Sequence, residues 1–318
     1  MGQMQATWDV LGCGVVSVDD LVYLATYPPA NTKARILGRD RQGGGLTGTA
    51  LVAAARLGAR AAFGGVLGYD ELSLVAIAEL EREGVDCSPM LRRPEARPCH
   101  STVIVGRDTG SRNVFFSREG VMTPRPEEVT PELVRRCRVL FVDHLDLDVA
   151  CHMAAAAAAV GVPVVADIEW KQYQRAEELF ARIQHLIIPE HFALELTGAA
   201  TTAEAVARLA SPERPCTAAT AGERGCWFAV HGGPVQHQPA FPVAAVDTTG
   251  CGDVFHGAYA ACIACGLGVA ESIRFASATA AIKATRPGGG RPGIPTWDEV
   301  ERFLGEAHRR PPQASDGR

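Results

Sequence analysis

Short hydrophobic runs alternate with helical stretches along the chain from Val139 onward. The runs lack the polar alternation of a half-exposed strand, so they are typical of strands buried on both faces. Such strands, separated by helices, predict a doubly wound α/β fold with a mostly parallel sheet. The predicted strands are 139–143, 162–167, 185–189 and 217–220, and the predicted helices are 149–160, 175–184, 190–197 and 203–209.

Polar side chains stand where these predicted strands end. They are Asp143, Asp167, Glu190 and Thr220. In open α/β sheets, ligands bind beyond the carboxyl ends of the strands. We therefore expect a functional site at this edge of the sheet.

Two stretches, 15–42 and 99–116, interrupt the alternation of strands and helices. Both are rich in β-branched or alternating residues, and the second contains an Asp-Thr-Gly turn. They predict a small β-sheet inserted into the α/β domain, with one exposed face that could serve as a lid or a dimer surface. We expect residues 1–318 to form a single domain whose polar, proline-rich end, 309–318, is frayed.

Composition and charge narrow the class of protein. The 318 residues are 47% hydrophobic and 21% charged, as in a globular protein. The net charge of −5 argues against a nucleic-acid partner held by bulk positive charge. The apolar run 254–270 is too short to span a membrane, and the first residues lack the features of a signal peptide. The sequence thus predicts a cytoplasmic protein without a membrane partner.

The ten cysteines are scattered along the chain, which is long enough to fold without disulfides. Cys262 and Cys265 form a CxxC pair inside an apolar run, but no second pair completes a metal site. We interpret the cysteines as reduced thiols that act as small hydrophobic side chains.

The strongest functional motif is Asp-Thr-Thr-Gly-Cys-Gly-Asp at 247–253, directly before an apolar helix. Glycines at a helix start leave backbone amides uncovered, and the helix dipole favours an anion there. The amides of Gly250, Cys251 and Gly252 would form an anion hole, and Asp253 could accept a proton from an attacking hydroxyl. The alternative is a tight turn in which an aspartate caps the helix.

Three other glycine-rich segments accompany this motif. Residues 43–49 precede a helix, 220–225 follow a strand, and 286–293 follow a helix, where they could also be a simple helix stop. Together the loops favour a nucleotide and a small substrate bound on one sheet. A dinucleotide fingerprint at 12–17 is less favoured, because the next segment is strand-like and ends in two prolines instead of forming a helix.

These motifs resemble those of the PfkB (ribokinase-like) carbohydrate kinases. The resemblance extends from Gly12 to about Leu304 and includes a Gly-Gly signature at 44–45, a Thr-x-Gly-x-x-Gly loop at 220–225 and the motif at 247–253. It implies an ATP- and Mg²⁺-dependent kinase, in some members also activated by K⁺. It further implies that the inserted sheet is a lid and often joins two copies in a homodimer.

The resemblance also assigns roles to individual residues. Asp253 would be the general base, beside an anion hole at Gly250, Cys251 and Gly252. The sugar would be held by Asp19, Gly44, Gly45 and Thr49, and the nucleotide by Thr220, Gly222, Gly225, Gly250 and Gly252. Asp247 and Thr249 would hold a monovalent cation, and Glu190 would help to hold Mg²⁺.

Some positions depart from the family pattern. Thr49 replaces an asparagine that binds sugar, and Cys251 replaces a small alanine while leaving the backbone donors in place. The Asn-x-x-Glu element that orders magnesium reads Glu190 to Ala193, so its distal carboxylate is missing. Mg²⁺ would then be held by phosphates, water and Glu190. A catalytically weak sugar sensor is the alternative that this change leaves open.

Within the family, four stretches are similar to kinases of sulfonated sugars. They are 43–59, 236–241, 245–258 and 271–295, and Lys33 matches a lysine proposed to hold the sulfonate. The resemblance therefore implies phosphorylation of a primary hydroxyl of a small sugar, such as a ketohexose or a sulfonated or acidic sugar. A nucleoside or an inositol remains the alternative substrate.

Overall fold

The computed structural model describes residues 6–108, 112–169, 176–286 and 293–309. The strands are β1 (Trp8–Cys13), β2 (Ser17–Leu24), β3 (Gly38–Gly44), β4 (Ala61–Phe63), β5 (Val66–Leu67), β6 (Leu91–Arg92), β7 (Cys99–Gly106), β8 (Arg112–Ser117), β9 (Cys137–Asp143), β10 (Val164–Asp167), β11 (His185–Pro189), β12 (Cys216–Thr220), β13 (Cys226–Val230) and β14 (Gln236–Gln238). The helices are α1 (Leu46–Arg56), α2 (Glu71–Arg82), α3 (Pro131–Val134), α4 (Leu147–Val160), α5 (Ala176–Phe180), α6 (Glu190–Thr197), α7 (Thr202–Leu209), α8 (Cys251–Ala264), α9 (Val269–Ala284) and α10 (Trp297–Arg309).

The main sheet has 8 strands in the order β14-β13-β12-β11-β10-β9-β1-β4. All neighbours from β4 to β12 pair in parallel, whereas β13 and β14 are antiparallel. The predicted doubly wound fold is therefore confirmed. Asp143 and Asp167 are register partners at the carboxyl ends of β9 and β10, and Pro189 pairs with Thr220 in the same way on β11 and β12.

Hydrophobic cores cover both faces of this sheet. Successive residues of β9 point to opposite sides: Phe141 lies in the core formed with α1, α8 and α9, and Leu140 lies in the core formed with α4, α6 and α7. Neither side chain is exposed to solvent. Burial on both faces explains why the central strands lack polar alternation.

A second sheet of 4 strands, in the order β3-β2-β7-β8, is built from the two segments that break the helix and strand alternation. We call it the lid sheet. It is mixed, because β2 pairs antiparallel with β3 but parallel with β7. The predicted small sheet is confirmed.

Helices α1 and α8 approach each other closely on one face of the main sheet. A Cβ atom added at Gly257 of α8 would lie 2.0 Å from the carbonyl oxygen of Ala50 in α1. Only a residue without a side chain allows this approach. As a result, the glycine-rich segments that precede these two helices open onto the same edge of the sheet.

Some sequence predictions fall outside the described residues. They are most of the glycine-rich segment at 286–293, the end of the chain after residue 309, and the first residue of the helix predicted at 175–184. Within the described ranges, no helix combines the length and the apolar character needed to cross a membrane.

Candidate active site

The segment Asp247–Asp253, called the anion loop below, includes the start of α8. Gly250 precedes the helix in the left-handed region, at φ 71, and contributes no side-chain cap. The amide of Cys251 donates to the carbonyl oxygen of Thr248 at 3.2 Å. Because the first turn of a helix has no intrahelical acceptors, Gly252 and Asp253 are the next amides that can face an anion.

Asp253 lies in the first turn of α8, next to these amides, and its side chain is half-buried. Burial raises the pKa of its carboxyl group well above the ordinary value, and the negative charges of Asp167 and Glu169 raise it further. A carboxylate with a raised pKa is a stronger proton acceptor than an ordinary aspartate. The anion loop thus combines amide donors with a carboxyl group of raised pKa.

Asp143 and Asp167 lie at the edge of the main sheet where the sequence predicts a site. Asp143 accepts hydrogen bonds from the amide of Val15 at 2.6 Å, the hydroxyl of Thr47 at 2.8 Å and the amide of Leu145 at 2.9 Å. These contacts tie the end of β1 and the start of α1 to β9. Asp143 therefore has a structural role, which the sequence pattern did not reveal.

His256 lies one turn after Gly252 in α8, and its side chain is buried. Its Nδ1 lies 2.8 Å from the carbonyl oxygen of Gly252, and its Nε2 lies 3.0 Å from that of Ile187. The Oδ2 atom of Asp167 is 3.3 Å from Nδ1. His256 therefore links α8 to β10 and β11 as a packed polar residue.

The residues expected to hold the sugar meet where β2, β3 and α1 converge. Asp19 accepts hydrogen bonds from the hydroxyls of Ser17, at 2.9 Å, and Ser101. A Cβ atom added at Gly44 would lie 2.2 Å from Asp19 Oδ2, so the carboxylate rests against bare backbone. Gly45 has φ 87, and Thr49 is buried on α1.

Lys33 lies apart from this cluster of contacts. It belongs to the connection at 25–37 between β2 and β3, where its side chain is exposed.

The predicted nucleotide loop follows β12 at the same edge. Thr220 ends the strand, a short 3₁₀ turn spans Gly222–Arg224, and the amide of Ala221 donates to the carbonyl oxygen of Gly225 at 2.8 Å. Gly225 has φ 90, and a Cβ atom there would lie 2.1 Å from the carbonyl oxygen of Gln238. Glycine is required at this position by both conformation and space.

Glu190, which the family resemblance assigns to Mg²⁺, contacts protein side chains in the structure. Its carboxylate accepts hydrogen bonds from the hydroxyl of Thr202 and from the guanidinium of Arg224. The ion pair connects the start of α6 to the nucleotide loop. In the part of the chain that the structure describes, no cluster of three or more His, Cys, Asp or Glu residues has an arrangement suited to a metal ion.

Lys283 contacts the anion loop, although no motif in the sequence singles it out. It is fully buried on α9, and its Nζ donates to the carbonyl oxygen of Asp247 at 3.0 Å. Burial tends to raise the pKa of Asp247, but hydrogen bonds from Thr249 and the charge of Lys283 lower it. A single charged residue within the small-residue stretch at 276–284 was the available signal.

Comparison with known proteins agrees with this geometry. Residues 14–297 match the model of the pfkB family of carbohydrate kinases. The chain is 30% identical over 275 residues to 2-dehydro-3-deoxygalactonokinase of Haloferax volcanii, covering 80% of this chain and 84% of the relative. It is 29% identical over 292 residues to fructokinase-1 of Zea mays, covering 83% of this chain and 88% of the relative. A ribokinase of Arabidopsis thaliana, solved with ribose and ATP, superposes with a TM-score of 0.81 at 22% identity, covering 95% of this chain and 99% of the ribokinase.

Proposed function

Because the chain belongs to the pfkB family of carbohydrate kinases, we propose that it transfers the γ-phosphoryl group of ATP to a primary hydroxyl of a small sugar. Asp253 accepts the hydroxyl proton as the sugar oxygen bonds to the γ-phosphorus. The bond from that phosphorus to the β–γ bridging oxygen breaks, and ADP leaves. The amides at the start of α8 stabilise the negative charge on the transferred group.

The observation that carries this proposal is the position of Asp253. It joins a half-buried carboxylate of raised pKa to the amides of a glycine-rich helix start. Asp143 connects this edge to the sugar side, because it bonds Thr47 of α1 and also acts electrostatically on Asp253. In this proposal, a hydroxyl held near Asp19 and Gly44 is the acceptor of the phosphoryl group.

ATP is expected to act as its magnesium complex, in which the metal neutralises phosphate charge. The contacts of Glu190 with Thr202 and Arg224 favour a role in holding the nucleotide loop over direct metal binding. We therefore assign Thr220, Gly222 and Gly225 to the nucleotide, and we expect phosphate oxygens and water to provide most ligands of Mg²⁺.

For the acceptor, we propose a ketohexose or an acidic or sulfonated sugar. The relatives include a fructokinase and a kinase named for a deoxygalactonate. Asp19, Gly44, Gly45 and Thr49 offer a carboxylate, bare backbone and a hydroxyl, which suit sugar hydroxyls. Exposed Lys33 on the lid would meet an anionic group of the substrate on closure.

ADP release should be measured over ketohexoses, a sulfonated ketose, sugar acids, pentoses, inositols and nucleosides. We expect the first three classes to give the highest kcat/KM. Lys33→Ala should raise KM for the anionic sugars by about two- to fivefold, as expected for an exposed ion pair, and leave neutral sugars unchanged. Arg35→Ala, in the same exposed segment, is the matched control.

The outcomes separate the competing functions. Preference for nucleosides or inositols would replace the acceptor but keep the kinase chemistry. Sugar binding without sugar-dependent ADP release would make the protein a sensor. If Lys33→Ala raises KM equally for neutral and anionic sugars, Lys33 does not bind the anionic group of the substrate.

We also propose that two copies of the chain pair through the lid sheet. Strand β8 is an edge strand whose residues are all exposed, including Val114, Phe115 and Phe116 at 51–53%. Large apolar side chains on an unpaired edge favour association. We place this dimer in the cytoplasm, where the free cysteines would stay reduced.

Sedimentation velocity tests the dimer. The mass obtained for the wild type should be twice the chain mass of 33.7 kDa. The double variant Val114→Ser/Phe116→Ser, which changes one face of β8, should give the mass of a monomer. Leu74→Ser, which changes an equally exposed side chain on α2, should remain dimeric. A monomeric wild type, or a dimeric double variant, would contradict pairing through β8.

A further inference from the structure

Lys283 contacts the start of the anion loop. Among the described residues, it is the only charged side chain there that has no exposed surface. None of its surface is exposed to solvent, and its Nζ lies 3.0 Å from the carbonyl oxygen of Asp247 and 4.0 Å from Asp247 Oδ1. Burying an ammonium group is unfavourable unless its charge is matched by nearby acceptors. The anion loop supplies both a carbonyl and a carboxylate.

The end of α9 holds the start of the anion loop at several further points. The amides of Val246 and Asp247 donate to the carbonyl oxygen of Ala284 at 2.7 and 3.1 Å. Asp247 Oδ1 in turn accepts from the amide of Thr249 at 2.8 Å. The ammonium of Lys283 therefore lies inside a network that sets the backbone of the loop before Gly250.

Asp247 and Thr249 are the residues at which the sequence resemblance implies a monovalent cation. A carbonyl oxygen and a carboxylate oxygen would suit such an ion. However, the ammonium of Lys283 already donates to the carbonyl of Asp247 and lies 4.0 Å from its carboxylate. A second cation bound to the same oxygens would be repelled by this buried charge. The described residues therefore do not fit a K⁺ ion at this position.

We propose that Lys283 supplies to the anion loop the positive charge that a bound monovalent cation would otherwise supply, so that the protein needs no K⁺. This inference rests on the proposed function of the anion loop in phosphate binding. Lys283 is a positioning residue: it acts through Asp247 and the backbone of the loop, not through contact with a substrate.

The first test uses the wild type in KCl, NaCl and choline chloride at equal ionic strength. We expect the Kd for ADP, measured by calorimetry, and the Tm to be the same in the three salts. A tighter Kd in KCl, by about fivefold or more, would overturn the proposal, because a coupled cation site gives an effect of this size. ADP binding needs no sugar, so this test is independent of the acceptor and of catalysis.

The second test removes the charge. Lys283→Met keeps an unbranched apolar chain, and we expect ADP binding to weaken by about tenfold in all three salts, the loss of a charged hydrogen bond. Lys283→Ala also removes the rest of the buried chain and leaves space where the ammonium lay. In this variant we expect KCl, but not choline chloride, to restore part of the ADP affinity and of the Tm.

Thr279→Ala is the matched control. Thr279 is buried one turn earlier on α9, and its hydroxyl bonds the carbonyl oxygen of Phe275 in the same helix. This variant should lose stability without changing the Kd for ADP or its response to salt. If both Lys283 variants bind ADP as the wild type does, the positioning role is wrong. If they do not fold, the wild-type salt series alone decides.

Discussion

Replacing Asp253 with Asn is expected to lower kcat/KM for sugar phosphorylation by about 10³-fold, the range typical of a lost general base. Asn keeps the shape of the side chain but cannot accept the proton of the hydroxyl. ADP binding should be nearly unchanged, because the amides of the anion loop remain. The measurement is sugar-dependent ADP release, with ADP affinity determined in parallel by calorimetry.

The same substitution should raise the stability of the fold at neutral pH. Burial, together with Asp167 and Glu169, raises the pKa of Asp253, so the folded state binds this proton more tightly than the unfolded state. In the wild type, Asp253 therefore makes its full contribution to the free energy of unfolding below its unfolded pKa, about 3.9. This contribution is lost as the pH rises through the pKa of Asp253 in the folded state. The Tm advantage of Asp253→Asn should be larger at pH 8 than at pH 5.

Asp298→Asn, on the exposed first turn of α10, is the control and should change neither activity nor the pH dependence of Tm. In the pH profile of the wild type, the fall of kcat/KM on the acidic side should occur at a higher pH than it would for a base with the pKa of an ordinary aspartate. A variant at position 253 with near-normal sugar-dependent turnover would show that another group is the base.

Replacing Gly257 with Ala is expected to destabilise the protein by about 3 kcal/mol, the upper part of the usual range for overpacking. The new Cβ would lie 2.0 Å from the carbonyl oxygen of Ala50, and backbone cannot move aside as a side chain can. Since α1 and α8 begin at the sugar and phosphate loops, KM should rise for both substrates. Urea unfolding and steady-state kinetics measure the two effects.

Gly305→Ala makes the same substitution at an exposed site on α10, where a new Cβ meets no atom within 4 Å. It should stabilise the protein by about 0.5–1 kcal/mol, because alanine is the better helix former. A loss of less than about 1 kcal/mol in Gly257→Ala would mean that the two helices separate easily. The close approach would then not control the geometry of the site.

Much of the fold was predictable from local patterns. The strand predicted at 185–189 is β11, and those at 139–143 and 217–220 begin two and one residues too late relative to β9 and β12. A run of buried apolar residues has the same signature wherever it lies in a parallel sheet, so the strands were recognisable. Their ends were less certain because polar or small residues such as Cys137 and Arg138 can begin a buried strand.

The site was predictable where its residues are neighbours in the sequence. The anion loop and the nucleotide loop are continuous motifs, and three of their glycines, Gly222, Gly225 and Gly250, have a positive φ that favours glycine. Glu190 was different. Its metal role was implied by the family resemblance, whereas its contacts with Thr202 and Arg224 depend on how α6, α7 and the nucleotide loop meet.

The sequence by itself determined the fold class, the inserted small sheet and the places of the glycine-rich loops, because hydrophobic period and glycine spacing are local properties of the chain. The tertiary structure decided which distant residues act on those loops. Asp143 contacts Thr47 across 96 positions, and Lys283 reaches Asp247 across 36. Such contacts follow from the packing of whole helices and strands, and no local pattern encodes the partner of a buried charge.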